Sequence, residues 1–205
     1  MYNWQDILFG FMIAVALGAL LYGLWKNNLS SKHSERTKRG ISRTLRSMAP
    51  LREWRVLDDV TITDRKGKEH TVDHLVAGPF GVLVFTDLHK RGGYYGELRD
   101  GEWVISTGGE NQVETRRERI PSPVKNNEAF VAAFRELLTA GKVYNVPVEA
   151  LCPVTQSQVE VFVTGARDQV VEHKRLREVL SRQRYQKDNK VDPEKLLALL
   201  PGAEK

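Results

Sequence analysis

Thr71-Val72-Asp73-His74-Leu75-Val76-Ala77-Gly78-Pro79-Phe80-Gly81-Val82-Leu83-Val84-Phe85 is the stretch whose reading decides the fold. Apolar, largely β-branched residues run on either side of Gly78-Pro79-Phe80-Gly81, which predicts two short strands joined by a tight turn. Asp73 breaks the pattern. A carboxylate among Val, Leu and Thr is poor strand chemistry, and burying it unpaired costs several kcal/mol, so it either faces solvent or serves a chemical purpose.

Outward from this hairpin, Trp54 to Thr63 predicts a preceding strand, turned back by Asp64-Arg65-Lys66-Gly67-Lys68. Before it, Ile41, Leu45 and Met48 recur at helical spacing, and Pro50 closes that helix. Downstream, Val82 to Asp87 forms the third strand. His89 to Gly93 reads as a flexible turn, and Tyr94 to Leu98 with Trp103 to Ile105 reads as a hairpin around Asp100-Gly101. The polar segment 106–120 predicts no element.

Ser122 and Pro123 suit the N-cap and first position of a helix. Phe130, Phe134, Leu137 and Leu138 then mark its buried face as far as Gly141. Val146 to Val154 and Val159 to Val163 predict two more strands. Gln169 to Lys187 predicts a helix whose basic face ordinary solvation explains, and Asp192-Pro193 opens a last short helix. The expected class is α/β, a mixed sheet with antiparallel hairpins flanked by helices.

Ile7 to Trp25 is an unbroken run of 19 apolar residues counting Gly, with Trp4 and Trp25 near its ends. Its length matches the hydrocarbon core of a bilayer, and it predicts one N-terminal transmembrane helix. A cleaved signal peptide needs a basic n-region, and residues 1–6 hold no Lys or Arg. Lys26, Lys32, Arg36, Lys38, Arg39, Arg43 and Arg46 follow the run, so the positive-inside rule puts the N-terminus outside. The expected location is the cell membrane, single-pass, with the C-terminal domain in the cytoplasm.

Of the net charge of +5, residues 1–25 carry −1, residues 26–55 carry +7, and the rest carry −1. The basic surplus is therefore juxtamembrane and suits anionic lipid near Lys26 to Arg46; a nucleic-acid-holding arm is the competing reading. It argues against a folded part that binds polyanions in general. The single cysteine, Cys152, excludes an internal disulfide and a zinc centre built on cysteines. The expected organisation is 1–6 as a short extension, 7–26 as the transmembrane helix and 27–37 as a basic linker. Residues 38–140 form the main domain, and 141–205 complete it.

Val72-Asp73-His74-Leu75-Val76, then Gly78 to Phe85, Gly96, Trp103 and Ser122-Pro123 at a helix start, resemble the nuclease-related domain (NERD) family over roughly residues 38–140. That family is taken as a distant branch of the PD-(D/E)XK restriction-endonuclease-like superfamily. The resemblance implies a restriction-endonuclease-like fold in which an Asp and a Glu on neighbouring strands hold Mg²⁺, and a Lys two residues beyond the Glu helps orient the attacking water. Hard carboxylate oxygens suit that ion, and Glu-x-Lys spacing puts both side chains on one strand face.

Carried onto this chain, the family's Ile-Asp-His falls on Val72-Asp73-His74, whereas its Glu and Lys fall on Thr86 and Leu88. Neither can bind a metal or carry charge. Asp87 and His89 have the right spacing one residue late, and a β-bulge near Phe85 would restore their face. Lys90 is a further substitute for the lysine. The Gly-Glu pair of the family's leading helix falls near Lys38 to Gly40, and its Asn-Pro-x-x-Gln appears as Ser122 to Asn126.

The candidate catalytic residues are thus Asp73, Asp87, His89 and Lys90, with Asp73 and Asp87 as Mg²⁺ ligands. The bland reading of Asp73 is a strand-edge carboxylate hydrogen-bonded to backbone or to His74. The expected function is a degenerate, membrane-anchored nuclease domain that binds a nucleic-acid or protein partner; the alternative is an active Mg²⁺-dependent DNA endonuclease.

Overall fold

A computed structural model describes residues 17–18, 38–108, 116–155, 158–165 and 168–200. By its contacts the chain divides into Met1–Arg36 and Thr37–Lys205, and all described residues but 17–18 belong to the second unit. The predicted transmembrane stretch 7–26 and the linker 27–37 therefore lie outside the described residues, save for those two. Among the described residues, no helix is long and apolar enough to cross a membrane.

Two mixed sheets organise the domain. The first has the order β1-β2-β3-β7-β9, from β1 (Arg55–Thr63), β2 (Glu69–Gly78), β3 (Gly81–Phe85), β7 (Val148–Val154) and β9 (Val170–Glu172). The second has the order β6-β5-β4-β8, from β4 (Gly92–Glu97), β5 (Glu102–Thr107), β6 (Arg116–Pro121) and β8 (Val159–Thr164). Hairpins make β1/β2/β3 and β4/β5/β6 antiparallel, and the returning chain adds β7 parallel to β3 and β8 parallel to β4.

Helices cover the first sheet on both faces. On one side, Ile41 and Leu45 of α1 (residues 38–48) and Leu176, Val179 and Leu180 of α3 (His173–Leu180) pack on Val76, Leu83 and Phe85. On the other, Phe130, Ala133 and Phe134 of α2 (Pro123–Ala140) and Leu196 of α4 (Pro193–Leu197) pack on Leu75, Ala77, Val82 and Val84. Around the Gly78–Gly81 turn, odd and even residues of β2 and β3 thus serve opposite cores, as a period of two requires. Ser122 caps α2 by accepting from Lys125 N–H, and Asp192 caps α4.

The Gly78-Pro79-Phe80-Gly81 turn joins β2 to β3 as expected. Gly81 adopts φ 129°, and a Cβ there would run into the Pro147 carbonyl. That carbonyl accepts the Val82 N–H at 2.9 Å, so the missing side chain lets β7 join β3.

Three expectations need correction. The helix expected over 169–187 is broken into β9, α3 and a 3-10 turn at Gln183–Tyr185. Its Val170-Val171 pair is used as strand instead, beside Cys152 and Pro153 of β7. Segment 106–120 contains the end of β5 and β6 as far as Ile120, and the charged side chains of β6 point to water while its backbone pairs with β5. The 89–93 turn is tied down: Tyr94 Oη accepts the Lys90 N–H and donates to the Lys90 carbonyl, both at 3.0 Å.

Candidate functional site

The site forms where β1, β2 and β3 come apart. In β1 and β2, Asp58 pairs with His74 and Val60 with Val72, but the intervening Asp59 and Asp73 drop out of the ladder. Val60 and Val72 point into the core under α2, whereas Asp58 turns to Ser42 and Arg46 of α1. Residues two apart thus face opposite sides, so the pleat inverts at Asp59 and Asp73. Asp59 absorbs the inversion with φ 52°, a left-handed conformation that Asp tolerates better than most residues.

The irregularity is therefore in β1 and β2, and the bulge anticipated near Phe85 is not where the fold bends. Past β3 the chain stays in register with β7, since Thr86 N–H donates to Leu151 O and Leu88 N–H to Pro153 O. Asp87 N–H consequently faces β2, and its acceptor is Asp73 Oδ2 at 2.7 Å. A side-chain oxygen stands in for a strand carbonyl at the point where the two strands splay.

Two charged arrays meet there. Lys38 Nζ lies 2.5 Å from Asp73 Oδ1 and 3.0 Å from Asp59 Oδ1. Beside it, His74 bridges two carboxylates, with Nδ1 2.6 Å from Asp58 Oδ1 and Nε2 3.2 Å from Asp87 Oδ2. His74 is 1 % exposed and Asp87 4 %. Asp58 also accepts from Ser42 Oγ at 2.7 Å and Arg46 Nη2 at 2.9 Å.

The ionisation follows from these contacts. Burial opposes protonation of His74, but its bonds to Asp58 and Asp87 outweigh burial and raise its pKa to about 9, so at neutral pH it is an imidazolium donating from both nitrogens. Burial likewise opposes the charges on Asp58 and Lys38. Asp58 is nonetheless held well below the usual carboxylate range by His74, Arg46 and Ser42, and Lys38 above its usual range by Asp73 and Asp59. Burial pushes Asp87 up despite His74, and its Oδ1 is buried without a hydrogen-bond partner. Burial pushes the Cys152 thiol up as well, which makes it a poor nucleophile.

Thr86 and Leu88 take structural roles. Thr86 Oγ1 donates to Asn127 Oδ1 at 2.7 Å and accepts from Asn126 Nδ2 at 3.3 Å, while Leu88 is buried in the core of the second sheet. Of the candidate residues, Asp73 and Asp87 are brought together. His89 sits with Nδ1 3.3 Å from the Asp87 carbonyl, and Lys90 reaches away to Glu118 of β6 at 2.6 Å.

Lys38, Asp58, Asp59 and Asn127 escaped the sequence reading. Asp58-Asp59 inside a predicted strand is the same anomaly that drew attention to Asp73 and could have found that pair. Lys38 is hidden in a run of basic residues. A cavity of about 1040 Å³ lies apart from the site, between β8 and the start of α3, lined by Val159, Val161, Phe162, His173 and Arg182 among others.

A divalent ion needs several uncommitted hard oxygens. Asp73 has both of its oxygens engaged, by Lys38 and by the Asp87 N–H, and Asp87 has one engaged by His74. Among the described residues, no group of three or more His, Cys, Asp or Glu is placed to hold a metal ion. As arranged, these residues do not fit Mg²⁺.

No match is found among curated proteins or among solved structures. A family model described as the nuclease-related domain matches residues 34–155. The match spans more than half of the 205 residues and takes in α1, β1 to β7, α2 and every site residue named above. The chain belongs to the nuclease-related domain (NERD) family.

Proposed function

We propose that this chain is a degenerate nuclease domain that holds a nucleic-acid or protein partner without cleaving it. The observation that carries this reading is the fate of Thr86 and Leu88. Where the resemblance calls for a metal-binding Glu and a Lys, one side chain is spent on Asn126 and Asn127 and the other is buried in a core. Phosphodiester cleavage needs charge stabilisation on the reacting oxygens, and neither position supplies it. The PD-(D/E)XK relationship supports the same reading through Asp73 on β2 next to Asp87 beyond β3.

The alternative, an active Mg²⁺-dependent endonuclease, is favoured by one observation, the partnerless Oδ1 of Asp87. Incubation of the full chain, in mild detergent, with supercoiled plasmid and Mg²⁺ or Mn²⁺ separates the two. No nicking is expected; nicking that disappears in Asp73→Ala would establish the active enzyme instead.

The apolar run 7–25 supports a membrane tether, with the basic residues that follow it from Lys26 to Arg36 against anionic lipid and the domain on the cytoplasmic side. Carbonate-resistant sedimentation with membranes, together with digestion of the domain by protease only in opened cells, is the expected behaviour.

A further inference from the structure

We infer that Lys38 is the resident cation of this site: its ammonium takes the place of a divalent ion between Asp59 and Asp73, and its removal opens a site for Mg²⁺ or Mn²⁺. The inference rests on the reading of the chain as a closed nuclease-like domain and adds what closes it.

Three observations converge. The Lys38 ammonium touches one oxygen each of Asp59 and Asp73, and Asp59 is held in a left-handed conformation at that point. Strain of this kind persists where surrounding contacts require it. Asp87, bound through its N–H to Asp73, keeps a buried oxygen with no hydrogen-bond partner, so the carboxylates here are not fully neutralised by their protein neighbours. Lys38 also belongs to the first described turn of α1, whose Ile41 and Leu45 are fully buried, so packing of that helix delivers the ammonium.

The chemistry explains why an ammonium suffices where a metal does not. A lysine has three donors on a compact point charge and is satisfied by two or three acceptors. Mg²⁺ demands near-octahedral oxygen coordination and gives up water reluctantly. A divalent ion entering with Lys38 in place would meet a like charge at a few ångströms while competing for the same Asp73 and Asp59 oxygens. Taking away the ammonium removes that repulsion and frees Asp59 Oδ1 and Asp73 Oδ1.

Isothermal titration of MnCl₂ into the full chain tests this with wild type, Lys38→Met, Lys38→Arg and the double variant Lys38→Met/Asp73→Asn. Circular dichroism confirms folding of each. Lys38→Met is expected to bind one Mn²⁺ at least about tenfold more tightly than wild type or Lys38→Arg, and the double variant to lose that gain. Lys38→Gln, which retains two N–H donors, replaces Lys38→Met should the latter unfold. Equal Mn²⁺ binding by wild type, no binding by a folded neutral variant, or a gain that survives Asp73→Asn would each overturn the inference. Plasmid nicking by wild type would instead strike the non-cleaving reading, so the two failures are told apart.

Discussion

The face of the five-stranded sheet under α2 is lined by Leu75, Ala77, Val82 and Val84 against Phe130 and Phe134, whereas toward α1 the same strands bury His74 and Asp87 with Asp58 beside them. The first is closed to water, and on the second His74 and Asp87 are buried while Asp58 keeps part of its surface exposed. On the first, dispersion and apolar burial stabilise each contact nearly independently of its neighbours. On the second, His74 and the Asp87 carboxylate have lost their hydration, and only their partners offset that cost. One face tolerates change by degrees, and the other depends on every member.

The largest expected effect lies on the apolar face. Phe134→Ala should destabilise the domain by about 3–5 kcal/mol, read from the midpoint of urea unfolding, because a fully buried ring is lost and a cavity is left behind. On the charged face, His74→Leu should cost about 3 kcal/mol by leaving Asp58 and Asp87 without their shared donor. Simultaneous apolar replacement of Asp58, His74 and Asp87 should recover most of that loss. A triple variant no more stable than His74→Leu would break the contrast between the two faces.

Stability should also depend on pH through His74. Its folded pKa of about 9 lies above the ordinary 6.5, so its contribution is complete below pH 6.5 and is lost as pH rises through 9. The loss should amount to roughly 3 kcal/mol at most. Asp58, shifted down from 3.8, contributes above that value and loses its contribution as pH falls below it. Burial of Asp87 works against the charged form and adds to the loss as pH rises above 3.8, so denaturation midpoints should fall toward alkaline pH, and His74→Leu should flatten the limb around pH 9. The smallest expected effect is that of Ser122→Ala, which removes the side-chain acceptor at the start of α2 and should cost about 0.5–1 kcal/mol in the same urea assay.

Much of the fold was legible because it is written locally. The hairpin around Gly78 to Gly81, the Ser122-Pro123 helix start and the Phe130, Phe134 and Leu138 stripe each need only neighbouring residues to be recognised. Where partners are distant, local reading misled. Val170-Val171 reads as helix alone but is strand once Cys152 and Pro153 lie beside it, and Arg116 to Ile120 has little apolar periodicity because its pairing with β5 is carried mainly by the backbone. Nothing local announces that Tyr94 pins the 89–93 turn.

The site divides along the same line. Amino-acid order marked Asp73 as out of place in its strand, and the resemblance to the family set Thr86 and Leu88 where charged residues were expected and Asp87 one residue late. Tertiary structure alone decided which charges meet: it inverted the pleat at Asp59 and Asp73, set His74 between Asp58 and Asp87, and brought Lys38 from 35 positions earlier in the chain to the carboxylate of Asp73. Strand and helix preferences act over a few residues and are carried by the chain wherever it goes. Coulombic partnership acts through space, and takes effect only after packing has brought the groups together and excluded the water that would otherwise screen them.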